Sequence, residues 1–98
     1  MLAEARTRIR RYTPEEARAD DELLLVDIRS ADERERFGAI PGAHHVPLSV
    51  LPWRTEQFAG RRVCLVCAQG YSSSLAAALL VELGVEAGDL IGGYEAWS

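Results

Sequence analysis

The sequence contains no lysine, only two cysteines and no long hydrophobic run. Two cysteines are too few for a disulfide-stabilised scaffold, and no stretch approaches the roughly 20 apolar residues that a membrane-spanning helix needs. No charged segment followed by an apolar run and a cleavage site opens the chain, so we expect no secretory signal, no membrane association and a cytoplasmic location. All eleven basic residues are arginines, and fifteen acidic residues outnumber them. The net charge of -4 argues against a nucleic-acid partner.

A chain of 98 residues is long enough for one domain and too short for two independent cores. An apolar content of 48% supplies one buried core and excludes a disordered chain. We therefore expect a single domain over residues 1–98, with residues 1–6 disordered. Residues 1–12 hold four arginines against one glutamate. We interpret residues 8–12 as a charged edge strand; the alternative is a basic arm that binds an acidic partner.

Short apolar runs alternate with helical segments along the chain. Strands are predicted at residues 8–12, 23–29, 44–46, 61–67 and 89–91. Helices are predicted after the capping residue Thr13, after Ser30 or Asp32, from the serines 72–74 to Leu83, and after Gly92-Gly93, with a helical turn at 48–53. This alternation predicts a three-layer α/β/α fold around a central parallel five-stranded sheet.

Cys67 is predicted to stand where a buried strand ends and a short loop leads into a helix. Ligands of parallel α/β folds bind beyond the carboxyl ends of the strands. The backbone N–H groups of the loop and of the first helical turn have no internal partners, so they can converge on an anion. Such a site would stabilise a thiolate or a persulfide, and Ser72, Ser73 and Ser74 would add hydroxyl donors. Local sequence leaves two interpretations open: a nucleophilic or sulfur-carrying cysteine, or an inert buried one.

Two other pairs of residues are candidates for chemistry. Cys64 and Cys67 form a Cys-x-x-Cys, but three residues of a strand span roughly 10 Å, and a disulfide needs Cα atoms within roughly 7 Å. We therefore predict that Cys64 is a core residue. His44 and His45 are adjacent on a predicted strand and face apart, so we expect no metal site there.

Four motifs in the expected order make the chain resemble a rhodanese-homology domain over nearly its whole length. They are Asp27-Ile28-Arg29, Ile40-Pro41-Gly42-Ala43, the Cys67-x-x-Gly70-x-x-Ser73 loop and Gly92-Gly93-x-x-x-Trp97. The resemblance implies a sulfurtransferase of the thiosulfate or persulfide type, with no metal or organic cofactor. It implies that Cys67 accepts a sulfane sulfur, holds it as a persulfide, and passes it to cyanide, a thiol or a protein acceptor.

The resemblance also implies the residues of the site. Cys67 would be the nucleophile, and the loop around it would be formed by Ala68, Gln69, Gly70, Tyr71, Ser72 and Ser73. Asp27 and Arg29 would support the site, and we expect this pair mainly to pin neighbouring loops.

The chain departs from the family pattern at two positions. Ser72 stands where many family members have arginine, and the loss of a bidentate cation should weaken binding of a dianionic donor. Either Arg29 or Arg54 could supply the missing charge. Ala39 precedes the Ile40 turn where histidine is usual, so that turn loses a potential hydrogen bond. We expect weak activity with thiosulfate.

Two other functions are compatible with this fold. A non-catalytic binding or regulatory module is one alternative, which the retained Cys67 argues against and the missing loop arginine leaves open. A phosphatase related to the cell-cycle tyrosine phosphatases is the other. That chemistry needs a longer loop, Cys-x5-Arg, whereas position 73 is Ser73 and no arginine follows it.

Overall fold

A parallel five-stranded sheet forms the centre of the computed structural model, which describes residues 2–97. The strands are β1 (Arg10–Tyr12), β2 (Leu23–Asp27), β3 (His44–His45), β4 (Arg62–Val66) and β5 (Glu86–Leu90). They lie in the order β1-β5-β4-β2-β3, and every neighbouring pair is parallel. The five-stranded parallel sheet predicted from the sequence is confirmed, and β1 is one of its edges.

Residues 2–97 also form five α-helices and one 3₁₀ segment. They are α1 (Leu2–Thr7), α2 (Pro14–Ala19), α3 (Ala31–Phe37), the 3₁₀ segment (Leu48–Phe58), α4 (Ser72–Glu82) and α5 (Gly93–Trp97). The predicted disorder of residues 1–6 is wrong for residues 2–6, which lie in α1; Met1 is outside the described residues. Helix α1 packs on the domain through buried Ala5. Just after the helix, Arg8 forms an ion pair with Glu82 of α4.

Local capping explains where two of the helices begin. The Thr13 hydroxyl accepts from the Glu16 N–H, and the Glu16 carboxylate accepts from the Thr13 N–H. Ser30 and Glu33 make the same reciprocal pair at the start of α3. Each pair satisfies two backbone donors that the helix itself leaves free.

The start of α4 differs from the prediction that a serine caps it. Its N-cap residue is Tyr71, and no side chain caps the helix. Ser73 and Ser74 lie inside the first turn and are fully buried. Their hydroxyls are bound to buried Asp89 of β5 instead of to the backbone of their own helix.

The sheet separates two apolar layers because successive side chains of a strand point to opposite faces. Val63 and Leu65 pack with Leu80 of α4 on one face. Cys64 and Val66 lie in the layer on the other face. The three-layer architecture and the core position of Cys64 are therefore as predicted.

Packing of α4 against the sheet should account for a large share of stability. Leu80 is fully buried, so we expect Leu80→Ala to lower the free energy of unfolding by about 2–5 kcal/mol through the cavity it leaves. Leu79 is 43% exposed, and Leu79→Ala is the matched control with a loss of less than about 1 kcal/mol. Urea unfolding followed by circular dichroism measures both. Equal losses in the two variants would contradict this orientation of α4.

Candidate active site

Cys67 follows β4 directly, and five residues later the chain enters α4. The thiol is therefore placed at the carboxyl edge of the parallel sheet, where ligands of such folds bind. Cys67 is 8% exposed, so its sulfur sits at the floor of a depression. The order of strand, loop and helix places the Cys67 sulfur beside the first backbone N–H groups of α4, which have no partner within the helix.

Hydrogen-bond donors of the loop converge on the Cys67 sulfur. The Gly70 N–H donates to Sγ at 3.0 Å, and the Ser73 N–H does so at 3.4 Å. The Ser73 hydroxyl oxygen lies 3.3 Å from Sγ. Backbone N–H groups aimed at sulfur favour its charged form. The arrangement can therefore hold a thiolate, or the anion of a persulfide extended from it.

The carbonyl groups at the start of the loop are bound by α5. The Tyr94 N–H donates to the Cys67 carbonyl at 2.8 Å, and the Glu95 N–H donates to the Ala68 carbonyl at 3.2 Å. The Gln69 side chain adds a bond from Nε2 to the Glu95 carboxylate at 2.9 Å. These bonds to α5 satisfy the carbonyl groups of Cys67 and Ala68. The N–H groups of the loop point the other way, toward the Cys67 sulfur.

The contact between loop and α5 requires glycine at the first residue of that helix. Gly93 has a positive φ of 63°, and a Cβ there would collide with the Cys67 carbonyl oxygen and lie 2.7 Å from the Ala68 carbonyl carbon. Such short approaches to backbone atoms cannot be relieved by a side-chain rotation. The Gly92-Gly93 motif thus sets the position of the active-site loop.

We expect Gly93→Ala to lose about 1–3 kcal/mol of stability beyond the cost of a positive φ, and to slow alkylation of Cys67 by iodoacetamide, because the loop is displaced. Gly84→Ala is the control, since Gly84 has a similar φ of 89° and nothing lies within 4 Å of its added Cβ. Thermal unfolding and alkylation rates measure the two effects. Equal behaviour of the two variants would show that the close approach at Gly93 is unimportant.

A cleft of about 500 Å³ opens in front of Cys67. The loop contributes Ala68, Gln69, Tyr71 and Ser72 to its wall. The opposite side is formed by the end of β2, the start of α3 and the start of the 3₁₀ segment, with residues Ile28, Arg29, Ser30, Glu33, Pro47, Leu48 and Ser49. Tyr71 is 59% exposed at the mouth. The cleft is large enough for a small sulfur donor beside the thiol.

Asp27 and Arg29 pin the surroundings of the cleft. The Arg29 guanidinium binds the Asp27 carboxylate at 2.7 and 2.9 Å and the Gly38 carbonyl at 2.7 Å. It also lies 4.0 Å from the centre of the Tyr94 ring. The hydrogen bonds to Asp27 raise the pKa of Arg29 against the opposing effect of burial. This pair joins β2, the end of α3 and α5, which is the pinning role expected of it.

Neither of the two arginines proposed to replace the missing charge at Ser72 offers a free cation to the cleft. The Arg29 side chain is almost fully buried and committed to Asp27. Arg54 lies exposed on the 3₁₀ segment and is not among the residues lining the cleft. The prediction that Arg54 supports the site is therefore wrong, because the segment turns that side chain to solvent.

Three residues of the site were missed from the sequence. Asp89 is fully buried in β5 and accepts hydrogen bonds from Ser73 and Ser74. Arg11 of β1 pairs with that carboxylate at 2.9 Å, and Arg6 of α1 donates to the Gly70 carbonyl at 3.0 Å. The available signal was the acidic residue inside the strand Glu86–Leu90, since buried charges are rare unless paired.

The second cysteine is chemically distinct from Cys67. Cys64 is fully buried in the opposite layer. Burial, reinforced by the charge of Asp89, raises the pKa of the Cys64 thiol. Both cysteines are free thiols. Cys64 therefore stays protonated and cannot compete with Cys67 as a nucleophile.

Neither a metal cluster nor a membrane-spanning helix is found in the described part of the chain. Over residues 2–97, no three His, Cys, Asp or Glu side chains are grouped so that they could hold a metal ion. His45 is instead hydrogen-bonded to the Arg29 carbonyl at 2.8 Å. No helix within these residues is both long and apolar enough to cross a membrane.

Comparison with known proteins agrees with this geometry. A family model described as Rhodanese-like domain matches residues 13–98. A Bacillus subtilis (strain 168) protein named "Putative sulfurtransferase YtwF" is 32% identical over 84 residues, covering 85% of this chain and 81% of the relative.

Two solved structures are similar over most of their length. The Rhodopseudomonas palustris protein RPA3614, of unknown function and described as a possible tyrosine phosphatase, is 29% identical with a TM-score of 0.87, covering 98% of this chain and 84% of its own. A rhodanese-like domain protein from Staphylococcus aureus is 26% identical with a TM-score of 0.84, over 92% of each chain.

The chain belongs to the rhodanese-like domain family. The family model covers most of the sequence and includes all four motifs on which the resemblance rested. The fold has the same parallel sheet, with the loop that follows Cys67 at its carboxyl edge. Family and fold are thus confirmed.

Proposed function

We propose that this protein is a sulfurtransferase that carries a sulfane sulfur as a persulfide on Cys67. The observation that carries the proposal is the convergence of the Gly70 and Ser73 N–H groups on Sγ. A sulfur that receives two backbone donors at the start of a helix is stabilised as an anion, which is the reactive form of a thiol. The name of the Bacillus subtilis relative supports the same class of reaction.

The reaction needs only thiolate chemistry. In the first step, the Cys67 thiolate attacks the outer sulfur of the donor. A bond forms between Sγ and that sulfur, the donor's own sulfur–sulfur bond breaks, and sulfite or a thiolate leaves with the bonding electron pair. In the second step, cyanide or an acceptor thiolate attacks the outer sulfur of the persulfide and restores the Cys67 thiolate. No external oxidant or reductant is consumed.

The charges of the cleft favour a persulfide of a thiol as the donor over thiosulfate. Among the residues described here, the charged side chains that line the cleft are Arg29 and Glu33. Arg29 is paired with Asp27 and, within residues 2–97, only its Nη1 is without a hydrogen-bond partner, so a dianionic donor meets a cation whose charge is already balanced. Pro47, Leu48 and Ile28 add apolar wall that suits the carbon part of a small thiol, or a side chain of a protein acceptor.

A phosphatase activity is disfavoured by the loop. Phosphate chemistry of this kind needs an arginine that clamps the transferred group, and positions 71–74 are Tyr71, Ser72, Ser73 and Ser74. The Rhodopseudomonas palustris relative is described as a possible tyrosine phosphatase. We expect this chain not to hydrolyse an aryl phosphate.

Treatment with glutathione persulfide should add the mass of one sulfur atom to Cys67, and a reducing thiol should remove it. Cys67→Ser should abolish the gain, whereas Cys64→Ser should keep it because Cys64 is buried behind the sheet. Intact-protein and peptide mass spectrometry measure both. A wild-type protein that gains no sulfur from glutathione persulfide, thiosulfate or mercaptopyruvate would contradict the proposal. A partner that binds equally well after Cys67→Ala would then favour a binding module.

Restoring an arginine to the loop tests the role assigned to charge. We expect Ser72→Arg to lower KM for thiosulfate by about tenfold, because a charge-assisted bond to an anion contributes about 1.5–3 kcal/mol. The effect on glutathione persulfide should be smaller, since that donor carries less charge at the reacting end. Ser72→Gln is the control for size without charge. An unchanged KM for thiosulfate in Ser72→Arg would contradict the explanation.

A further inference from the structure

Asp89 is a buried carboxylate directly behind the active-site loop. It is fully buried, yet four hydrogen bonds reach it. Ser73 and Ser74 donate to Oδ2 at 2.9 and 2.6 Å, and Arg11 donates to Oδ1 at 2.9 Å and to Oδ2 at 3.3 Å. A buried charge is tolerated only with such pairing. The carboxylate therefore has a defined position relative to the loop.

The Ser73 hydroxyl connects this carboxylate to the sulfur. Its oxygen lies 3.3 Å from Sγ, while its proton is directed to Asp89. A hydroxyl has one proton to donate. When Cys67 is a thiol, its S–H can donate to the Ser73 oxygen; when it is a thiolate, sulfur and carboxylate compete for the same hydroxyl proton. The charge on Asp89 consequently bears on how well the site stabilises the Cys67 anion.

Two arginines from the start of the chain oppose that negative charge. Arg11 is paired with Asp89, and Arg6 donates to the Gly70 carbonyl at 3.0 Å and to the Ser74 hydroxyl at 3.1 Å. Gly70 is the residue whose N–H reaches Sγ. The basic segment at residues 1–12, whose charge was interpreted as that of an edge strand, therefore contacts the active-site loop on the side away from the cleft.

We propose that Asp89 and Arg11 are positioning residues for the Cys67 nucleophile. Asp89 directs the Ser73 hydroxyl, and Arg11 balances the carboxylate and supplies positive charge that the loop itself lacks at Ser72. The proposal rests on the proposed function for its biological meaning, but it concerns the reactivity of one thiol and can be measured without sulfur transfer. The other charged side chains near the sulfur are Arg6 behind the loop, and Glu33 and the Asp27-paired Arg29 at the cleft.

The two residues should shift the reactivity of Cys67 in opposite directions. Asp89→Asn removes the negative charge and leaves Arg11 unpaired, so the thiolate is favoured. We expect alkylation of Cys67 by iodoacetamide at pH 6 to become faster by about threefold or more. Arg11→Gln leaves the buried carboxylate unbalanced, and the same rate should fall by about threefold or more. Arg11→Lys keeps the charge and should recover part of that loss.

Arg8→Gln is the matched control, because Arg8 lies in the same segment but, among residues 2–97, its ion pairs are with the exposed Glu4 and Glu82. Its alkylation rate should equal that of the wild type. Peptide mass spectrometry assigns the alkylated cysteine, and circular dichroism checks the fold of each variant. If Asp89→Asn fails to fold, the comparison of Arg11→Gln with Arg11→Lys decides alone.

Rates that move in the same direction in Asp89→Asn and Arg11→Gln, or that stay at the Arg8→Gln value, would overturn the proposal. Equal losses in Arg11→Gln and Arg11→Lys would also overturn it, since only packing would then be involved. Persulfide formation by the same proteins is measured separately. Opposite shifts in alkylation with no persulfide in any variant would support the positioning role and contradict the proposed function.

Discussion

The direction of the peptide groups between β4 and α4 determines how the active-site loop surrounds the Cys67 sulfur. Each peptide has a donor and an acceptor, and both must be satisfied when the chain is buried. The first carbonyls of the turn are bound by the backbone of α5, and the Gly70 carbonyl is bound by Arg6. The amides at Gly70 and Ser73 are then left for the sulfur. Helix α5 is thus part of what directs these two amides at the Cys67 sulfur.

The positive charge near the sulfur comes from outside the loop. A loop arginine would approach a ligand from the cleft and would contact the donor as well as the thiol. Arg6 and Arg11 lie behind the loop, where Asp89 and the serines of α4 separate them from the cleft. The charge can therefore act on the thiolate without offering a contact to an anionic donor. Under the proposed function, this division would favour the Cys67 thiolate without favouring a dianionic donor.

Much of this architecture could be predicted from local sequence. The apolar runs, the capping residues Thr13 and Ser30 and the glycines around Cys67 act over a few residues, so their patterns are visible in the chain. The order of the four motifs is enough to identify the family from the sequence alone. The position of Cys67 at the end of a strand followed from the same local patterns.

What the sequence did not reveal depends on contacts between distant residues. Arg11 and Asp89 are 78 residues apart, and Arg6 reaches Ser74 across 68 residues. A strand with charged residues is normally the edge of a sheet, so local reasoning had no cause to place Arg11 behind the nucleophile. The serines 72–74 likewise suggested a cap, because the buried acceptor that draws Ser73 and Ser74 inward lies on another strand. Arg54 was misplaced for the same reason, since only the full fold shows which way its segment faces.

The pairing of β1 with β5 brings one of the first segments of the chain against one of the last. Closing so long a stretch of polypeptide carries an entropic cost that local structure does not repay. The arginines that hold the loop arrive only with that closure. A chain in which β1 had not yet paired with β5 would contain Cys67 without the arginines behind its loop. The environment of Cys67 therefore depends on the pairing of these two strands. Reactivity at this thiol is therefore a property of the finished fold and not of the loop that contains it.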